Sequence, residues 1–319
     1  LRTAARRNIP VAIINGKISE KSFRFHARTR LVPALLRGSE LVAVQTPAYE
    51  QRLLELGFPR ERLHVTGNMK YDLTHAPEQA VSARELRAQL GYGADDVVLI
   101  GGSLHMGEGE ALITAFGRLV VERTRAALVL VPRYPRDAER VEQLASERGL
   151  NVVRKTAVDR GDAKAPGARG LFLVDTVGDL RSLYGIADVA FVGGSLFYRG
   201  SNRGGHNLME PAVFGLPVIF GPYNFSFADT ARKLVTAQGG FEVDDVEALI
   251  EVLQRLLDDA ALRDDAGRRA RDVIAKEQGA TQRNFDLLMP LIDAANGRLP
   301  ASDLGPTMPP AMSDADLNA

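Results

Sequence analysis

The chain has 319 residues, 45% of them hydrophobic and 25% charged, enough to build the cores of roughly two domains. Lys+Arg and Asp+Glu both number 40, so no global field draws the protein to nucleic acid or to anionic lipid. The absence of cysteine excludes a disulfide framework, a thiolate nucleophile and a thiolate zinc site, and no apolar run approaches the roughly 18–20 residues of a bilayer-spanning helix.

Short apolar runs alternate with amphipathic stretches from the start, the pattern of βα units around a parallel sheet covered on both faces. Strands are expected at 10–14, 41–44 and 63–66, with helices near 26–37 and 47–57. Three strands are too few for a finished doubly wound sheet, and the chain opens without methionine, so the missing half of this block is expected upstream of Leu1. Beyond a Pro-containing joint at 74–81, Ser82 and Glu85 have capping-box spacing and predict a helix start. A second block then carries strands at 97–101, 127–131, 151–153, 171–174, 189–192, 217–220 and 241–243. The polar, Gly-rich stretch 155–170 reads as a surface loop. Helical periodicity resumes at 245–258, 260–276 and 281–294, and the Pro-, Asp- and Ala-rich tail 297–319 is expected to be disordered.

In open α/β sheets ligands bind beyond the carboxyl ends of the strands, so the residues after each apolar run matter most. After 97–101 come Gly101, Gly102, Ser103, Leu104 and His105, read as a glycine turn into a helix whose free N–H groups could hold an anion; a tight turn with a serine cap explains the same residues. After 127–131, Arg133 is pinned between Pro132 and Tyr134-Pro135, preorganised for bidentate contact with phosphate or carboxylate. Gly178, Asp179 and Leu180 follow 171–174, and Gly193, Gly194 and Ser195 follow 189–192; both strings also read as plain turns. The most specific string is Gly204-Gly205-His206-Asn207-Leu208-Met209-Glu210-Pro211. His206, Asn207 and Glu210 fall within one helical turn, so imidazole, amide and carboxylate can converge on a ligand, with the carboxylate accepting from ribose hydroxyls. A capped helix with Glu210 in solvent is the plain alternative. The only Asp-x-Asp is Asp314 to Asp316 in the tail, and there is no HExxH motif or nucleophile elbow, so neither a catalytic metal nor another cofactor is expected.

Taken in order, NGKISEKS (15–22), TGNMKYD (66–72), GGSLHMGEGE (101–110), PRYP (132–135), DTVGDL (175–180), FVGGS (191–195), GGHNLMEP (204–211) and FGLPVIFGPYNFSF (214–227) resemble the 3-deoxy-D-manno-octulosonic acid (Kdo) transferases, from about Asn8 to about Leu257. The chain departs from that family's pattern at Lys17, Leu104 and Tyr134, where arginine, threonine and histidine are usual. The resemblance implies an α/β protein of GT-B fold, two Rossmann-like domains facing a cleft, the first truncated at its N-terminus. Its expected parts are 1–75, the C-terminal half of the acceptor domain; 82–276, the nucleotide-sugar domain; and 277–296, a helix crossing back to the first domain. Phe285, Leu288 and Leu291, flanked by Leu287 and Ile292, are expected to form that helix's buried stripe.

The resemblance further implies an inverting transfer of Kdo from CMP-Kdo to lipid A, in lipopolysaccharide synthesis at the cytoplasmic face of the inner membrane, peripheral or anchored by a segment outside this chain. Pro132, Arg133, Gly178, Asp179, Leu180, Asn207, Leu208, Met209 and Glu210 would contact the CMP part. Ser103, His105, Ser195 and His206 join them from their strand-end positions, and Lys17 and Lys70 could meet the Kdo carboxylate. Arg133 and the backbone N–H groups near Gly102-Ser103 and Gly204-Gly205 would steady charge on the leaving phosphate, while the catalytic glutamate base is expected upstream of Leu1. The alternatives are a UDP-sugar-dependent transferase or epimerase and, in another class, a nucleotide-binding fragment without turnover.

Overall fold

The computed structural model describes residues 9–29, 38–73, 80–105, 107–120, 125–198 and 204–296, together with residues 3, 4, 7, 36 and 200. The tail 297–319 and most of the joint, 74–79, lie outside the described residues. The chain divides into two compact units, Leu1–Leu73 with Glu277–Ala319, and Thr74–Lys276.

The first unit opens with β1 (Ala12–Gly16), α1 (Glu20–Thr29), β2 (Leu41–Val44), α2 (Pro47–Glu55) and β3 (Leu63–Val65), and its strands form a parallel sheet in the order β1-β2-β3. The first helix begins earlier than its apolar period suggests, because the Ser19 hydroxyl accepts the Ser22 N–H at 3.2 Å and caps the turn there. Asn15 closes β1 in the left-handed region, φ 55°, which asparagine tolerates better than most side chains. Its carboxamide oxygen accepts from Gln45 Nε2 at 3.1 Å and from the Met69 N–H at 3.3 Å, tying together the segments that follow β2 and β3.

The second unit contains α3 (Ala80–Gln89), β4 (Val97–Leu104), α4 (Glu108–Val120), β5 (Ala126–Pro132), α5 (Ala138–Glu147), β6 (Val152–Arg154), α6 (Lys155–Asp159), β7 (Leu171–Leu173), α7 (Leu180–Tyr184), β8 (Val189–Val192), α8 (Met209–Val213), β9 (Val218–Phe220), α9 (Ala228–Thr236), β10 (Gly240–Glu242), α10 (Val246–Asp258) and α11 (Ala260–Glu277, whose last residue falls in the first unit). Its seven strands are all parallel, in the order β10-β9-β8-β4-β5-β7-β6. Alternate residues feed two cores. Leu99, Leu128, Leu130 and Phe191 meet Leu112 and Phe116 of α4 and Leu249 and Leu253 of α10 on one face. Ile100, Val129, Phe172 and Ala190 meet Leu183 and Tyr184 of α7 on the other. Burial on both faces is why these strands read as unbroken apolar runs.

Three local features differ from the sequence reading. Ser82 lies inside α3, which already begins at Ala80. The turn expected after residue 101 is a continuation of β4 to Leu104, with a register shift between Gly101 and Leu104 and Ser103 at φ 55°. The loop expected at 155–170 opens with the single helical turn of α6, because the Asp175 carboxylate reaches back to accept the Thr156 N–H at 3.1 Å and its hydroxyl at 2.6 Å.

After α11 the chain returns to the first unit as α12 (Ala280–Ala295), which packs on β1 and the 3-10 turn at Met69–Tyr71. The packing is polar where an aliphatic stripe was expected. Phe285 and Ile292 are 53% and 45% exposed, and Leu287, Leu288 and Leu291 are only partly covered; the residues buried in this helix are Ala280 and Asn284. Thr66 donates its hydroxyl to Asn284 Oδ1 at 3.2 Å, and Arg283 Nε donates to the Thr66 carbonyl at 2.8 Å. Asp72 takes the N–H groups of Gly279 and Thr281 at 2.6 and 2.5 Å, filling the donors that a helix start leaves open.

Partial burial acts to raise the Asp72 carboxyl, but the Thr281 and Gly279 hydrogen bonds and the charge of Arg283 outweigh it and hold the group below its ordinary 3.8. The sign follows: its contribution is complete above the ordinary value and disappears as the pH falls through the lower native one. Asp72→Asn should therefore cost about 1–2 kcal/mol at neutral pH and speed amide exchange along α12. Wild-type exchange in the variant would show that this cap does not hold the helix.

Candidate active site

From β4 the sheet of the second unit grows one way through β5 and the other way through β8, so the topological switch point lies between β4 and β8. The crevice beyond their carboxyl ends is where such sheets take ligands. Glu108, at the start of α4 and 1% exposed, stitches the two strand ends together. Its Oε2 accepts the N–H groups of His105 and Gly194 at 2.9 and 2.7 Å, and its Oε1 those of Ser195 and Leu196 at 2.9 and 3.0 Å. Residue 193 must be glycine here, since a Cβ would lie 2.7 Å from that carboxylate. The sequence reading passed over Glu108; the signal was a carboxylate next to Gly107 at one strand end and a glycine pair at the neighbouring one.

The paired glycines of β4 serve packing. A Cβ on Gly101 would lie 2.4 Å from Leu112, and one on Gly102 would lie 2.3 Å from the Tyr184 hydroxyl. Burial pushes that phenol far above its ordinary range, and the nearby charge of Glu210 raises it further. Arg133 is anchored by its own N–H, which donates to the Leu104 carbonyl at 2.7 Å, while its exposed guanidinium lies 5.7 Å from the centre of the Tyr134 ring. Pro132 ends β5 in register with Leu104.

Around α8 the expected convergence divides. Asn207 Nδ2 donates to Glu210 Oε1 at 3.0 Å and its Oδ1 takes the Met209 N–H at 3.1 Å, so amide and carboxylate form one half-buried pair at the helix start. His206 turns the other way and meets His105, Nε2 to Nε2, at 2.8 Å. Leu208 and Met209 point into the core, leaving only their backbones to a ligand. Ser195 is fully buried: its hydroxyl donates to the Val192 carbonyl and accepts the Gly221 N–H, both at 2.9 Å, so it braces β8 against β9 and is not turned to the crevice. The Gly205 N–H likewise donates to the Gly194 carbonyl at 2.7 Å and is not open to a phosphate.

On the far side of β5, Gly178 is exposed at φ 104° with open space where a Cβ would be. Asp179 accepts from the Thr176 hydroxyl and lies 3.7 Å from Lys155 Nζ. Leu180 packs beside Gly102, which brings this turn under the switch point. Lys17 and Lys70 belong to the other unit, exposed just after the Asn15 bridge and on the 3-10 turn that it holds. No group of three His, Asp or Glu that could hold a metal occurs among the described residues, and none of the described helices is long and apolar enough to cross a membrane.

A family model described as 3-Deoxy-D-manno-octulosonic-acid transferase (kdotransferase) matches residues 1–73. A 3-deoxy-D-manno-octulosonic acid transferase of Haemophilus influenzae is 32% identical over 289 residues, covering 90% of this chain and 65% of that protein. The chain is homologous to the Kdo transferases. A second Kdo transferase, from Bordetella pertussis, is 30% identical over 292 residues, again 90% of this chain and 65% of the relative, so the match spans just under two thirds of these relatives. The C-terminal CMP-Kdo binding domain of WaaA from Acinetobacter baumannii aligns at TM-score 0.53 and 23% identity, over 61% of this chain and 97% of that structure. Anabaena Alr3699/HepE in complex with UDP aligns at TM-score 0.52 and 16% identity, over 92% of this chain and 74% of that structure. These likenesses show the fold, two parallel α/β units of the GT-B type.

Proposed function

We propose that the chain forms the donor-binding unit and part of the acceptor unit of an inverting glycosyltransferase that moves Kdo from CMP-Kdo to lipid A. The observation that carries this reading is the Asn207–Glu210 pair beside the switch point, in a chain homologous to Kdo transferases. Glu210, with one oxygen held by Asn207, offers the other to the ribose hydroxyls of CMP. Arg133 meets the phosphate that leaves as the anomeric carbon is attacked. Because negative charge grows there only as the bond breaks, a fixed guanidinium favours the transition state over the bound donor. Lys17 and Lys70 are assigned to the sugar carboxylate, and the base that deprotonates the acceptor hydroxyl to residues upstream of Leu1. Lipid A places the work at the cytoplasmic face of the inner membrane. No step is assigned to a metal.

CMP titrated calorimetrically into wild type and Glu210→Gln tests the reading. The variant should keep its melting temperature and lose about 1–3 kcal/mol of CMP affinity, the cost of leaving hydrogen-bonding groups unmatched. UDP bound in preference to CMP would move the chain to the UDP-sugar enzymes, and equal CMP affinity in both proteins would remove Glu210 from the site.

A further inference from the structure

The His105–His206 contact has a geometry with chemical consequences. An imidazole with bonds of about 1.33 Å has its atoms about 1.13 Å from the ring centre. The 2.8 Å contact and one such radius on either side account for the whole 5.1 Å between the centroids, and the ring planes differ by 9°. The rings therefore lie edge to edge in one plane and are not stacked face on face, so an Nε2–H on one points straight at the Nε2 of the other.

Only one proton fits in that gap, because two N–H groups meeting at 2.8 Å would repel. The neutral pair can take one more proton on an outer nitrogen and keep its hydrogen bond; a further proton would have to enter the gap and break it. The pair thus carries zero or one positive charge, as a unit. Its position is fixed from both sides of the switch point. The His105 N–H is held by Glu108, and His206 lies on Gly194, where a Cβ would sit 2.8 Å from the ring.

Among the described residues, charged groups approach the pair from four elements. Glu108 is committed to four N–H donors, and Glu210 on α8 to Asn207. After β5, the Tyr134 ring stands edge-on to His105 at 5.9 Å with Arg133 and Arg136 against it. A small pocket beside His105 brings in Asp137 and Arg140 from the start of α5 and Glu110 from α4.

Resting on the nucleotide reading above, we propose that His105 and His206 act as a single acid–base unit at the switch point, supplying, in addition to Arg133, a positive charge that the phosphate of a bound nucleotide meets there. As positioning residues for that phosphate they make binding proton-linked: affinity is highest when the pair is charged and falls as the pH rises through its titration.

Two measurements test this. In two-bond proton–nitrogen NMR spectra of the ligand-free chain, His105 and His206 should titrate together, taking up one proton between them while the fold persists; in His105→Gln, His206 should take up a proton by itself. Two independent protonations in wild type would overturn the pair. In calorimetry with CMP at about pH 7.5, where the nucleotide's own phosphate, with a pKa near 6, is already ionised, buffers of different ionisation enthalpy should reveal proton uptake on binding. The double variant, His105→Gln with His206→Gln, should lose that uptake, and in each single variant the remaining histidine takes up the proton alone. The double variant should weaken CMP about tenfold, one charge-assisted hydrogen bond's worth, with the gap closing toward about pH 9. Glu210→Gln should weaken CMP and keep the uptake. CMP binding without uptake in wild type would overturn the proposal and leave the nucleotide reading standing, whereas CMP binding to no form would overturn both.

Discussion

Glu108→Ala should unfold the second unit at markedly lower denaturant than wild type, by at least about 4 kcal/mol. The reason is arithmetic on donors: the carboxylate accepts four backbone N–H groups, and alanine leaves all four inside the protein without acceptors, at about 1–3 kcal/mol each before any water enters. Glu108→Gln keeps one oxygen and turns an NH2 toward the remaining donors, so it should fall between the two. Glu110, two residues on, is a useful control. It makes a 3.1 Å surface ion pair with Arg148, and Glu110→Ala should cost under about 1 kcal/mol. A Glu108→Ala midpoint within error of wild type would mean that the strand ends at 104 and 193 find other acceptors, and that the stitch is dispensable.

The largest expected loss of activity is at Arg133. In the whole protein, assayed with CMP-Kdo and a lipid A acceptor, Arg133→Ala should lower kcat at least about 100-fold, in the range seen when one transition-state donor is removed. Arg133→Lys should recover only part of this, since an ammonium keeps the charge but loses the planar fork. Because the guanidinium is exposed and its backbone anchor to Leu104 survives either change, melting temperatures should stay put. CMP affinity should fall less than kcat, the sign of an interaction made mainly as charge develops. Near-normal turnover in Arg133→Lys would reduce the residue to a solvated arginine resting on Tyr134.

The parts of this fold written most plainly in the sequence are those in which one short stretch settles its own fate. The strands of the seven-stranded sheet are covered on both faces, so Val98 to Ile100 and Ala127 to Val131 are apolar without interruption, and the Gly101-Gly102 and Pro132-Arg133 pairs after them mark the ends that matter. The Asn207–Glu210 pair was legible for the same reason, three residues apart at a helix start. What escaped the reading depends on partners far along the chain. Glu108 finds its N–H donors at 194 to 196, Asp175 caps a helix 19 residues back, and His206 is drawn from its helical neighbours to His105. Ser195 looked like turn chemistry because nothing nearby shows that Gly221 will need its hydroxyl. The closing helix carries Phe285 and Leu288 at helical spacing, yet it docks through Asn284, Arg283 and the Asp72 cap, contacts that no periodicity encodes.

That closing helix makes the first unit discontinuous along the chain, with residues 1–73 before the second unit and 277–296 after it. Deletion mapping on this protein will therefore mislead if damage is assigned to the nearest unit. A stop codon just after Lys276 leaves every strand of the second unit translated and removes instead the cover of Thr66 and the partners of Asp72. An expression clone ending at Leu73 carries the same defect from the other direction, whereas a clone of 74–276 interrupts neither sheet. Ribosomes that stall just after the second unit would release chains whose defective part was made before the sound one.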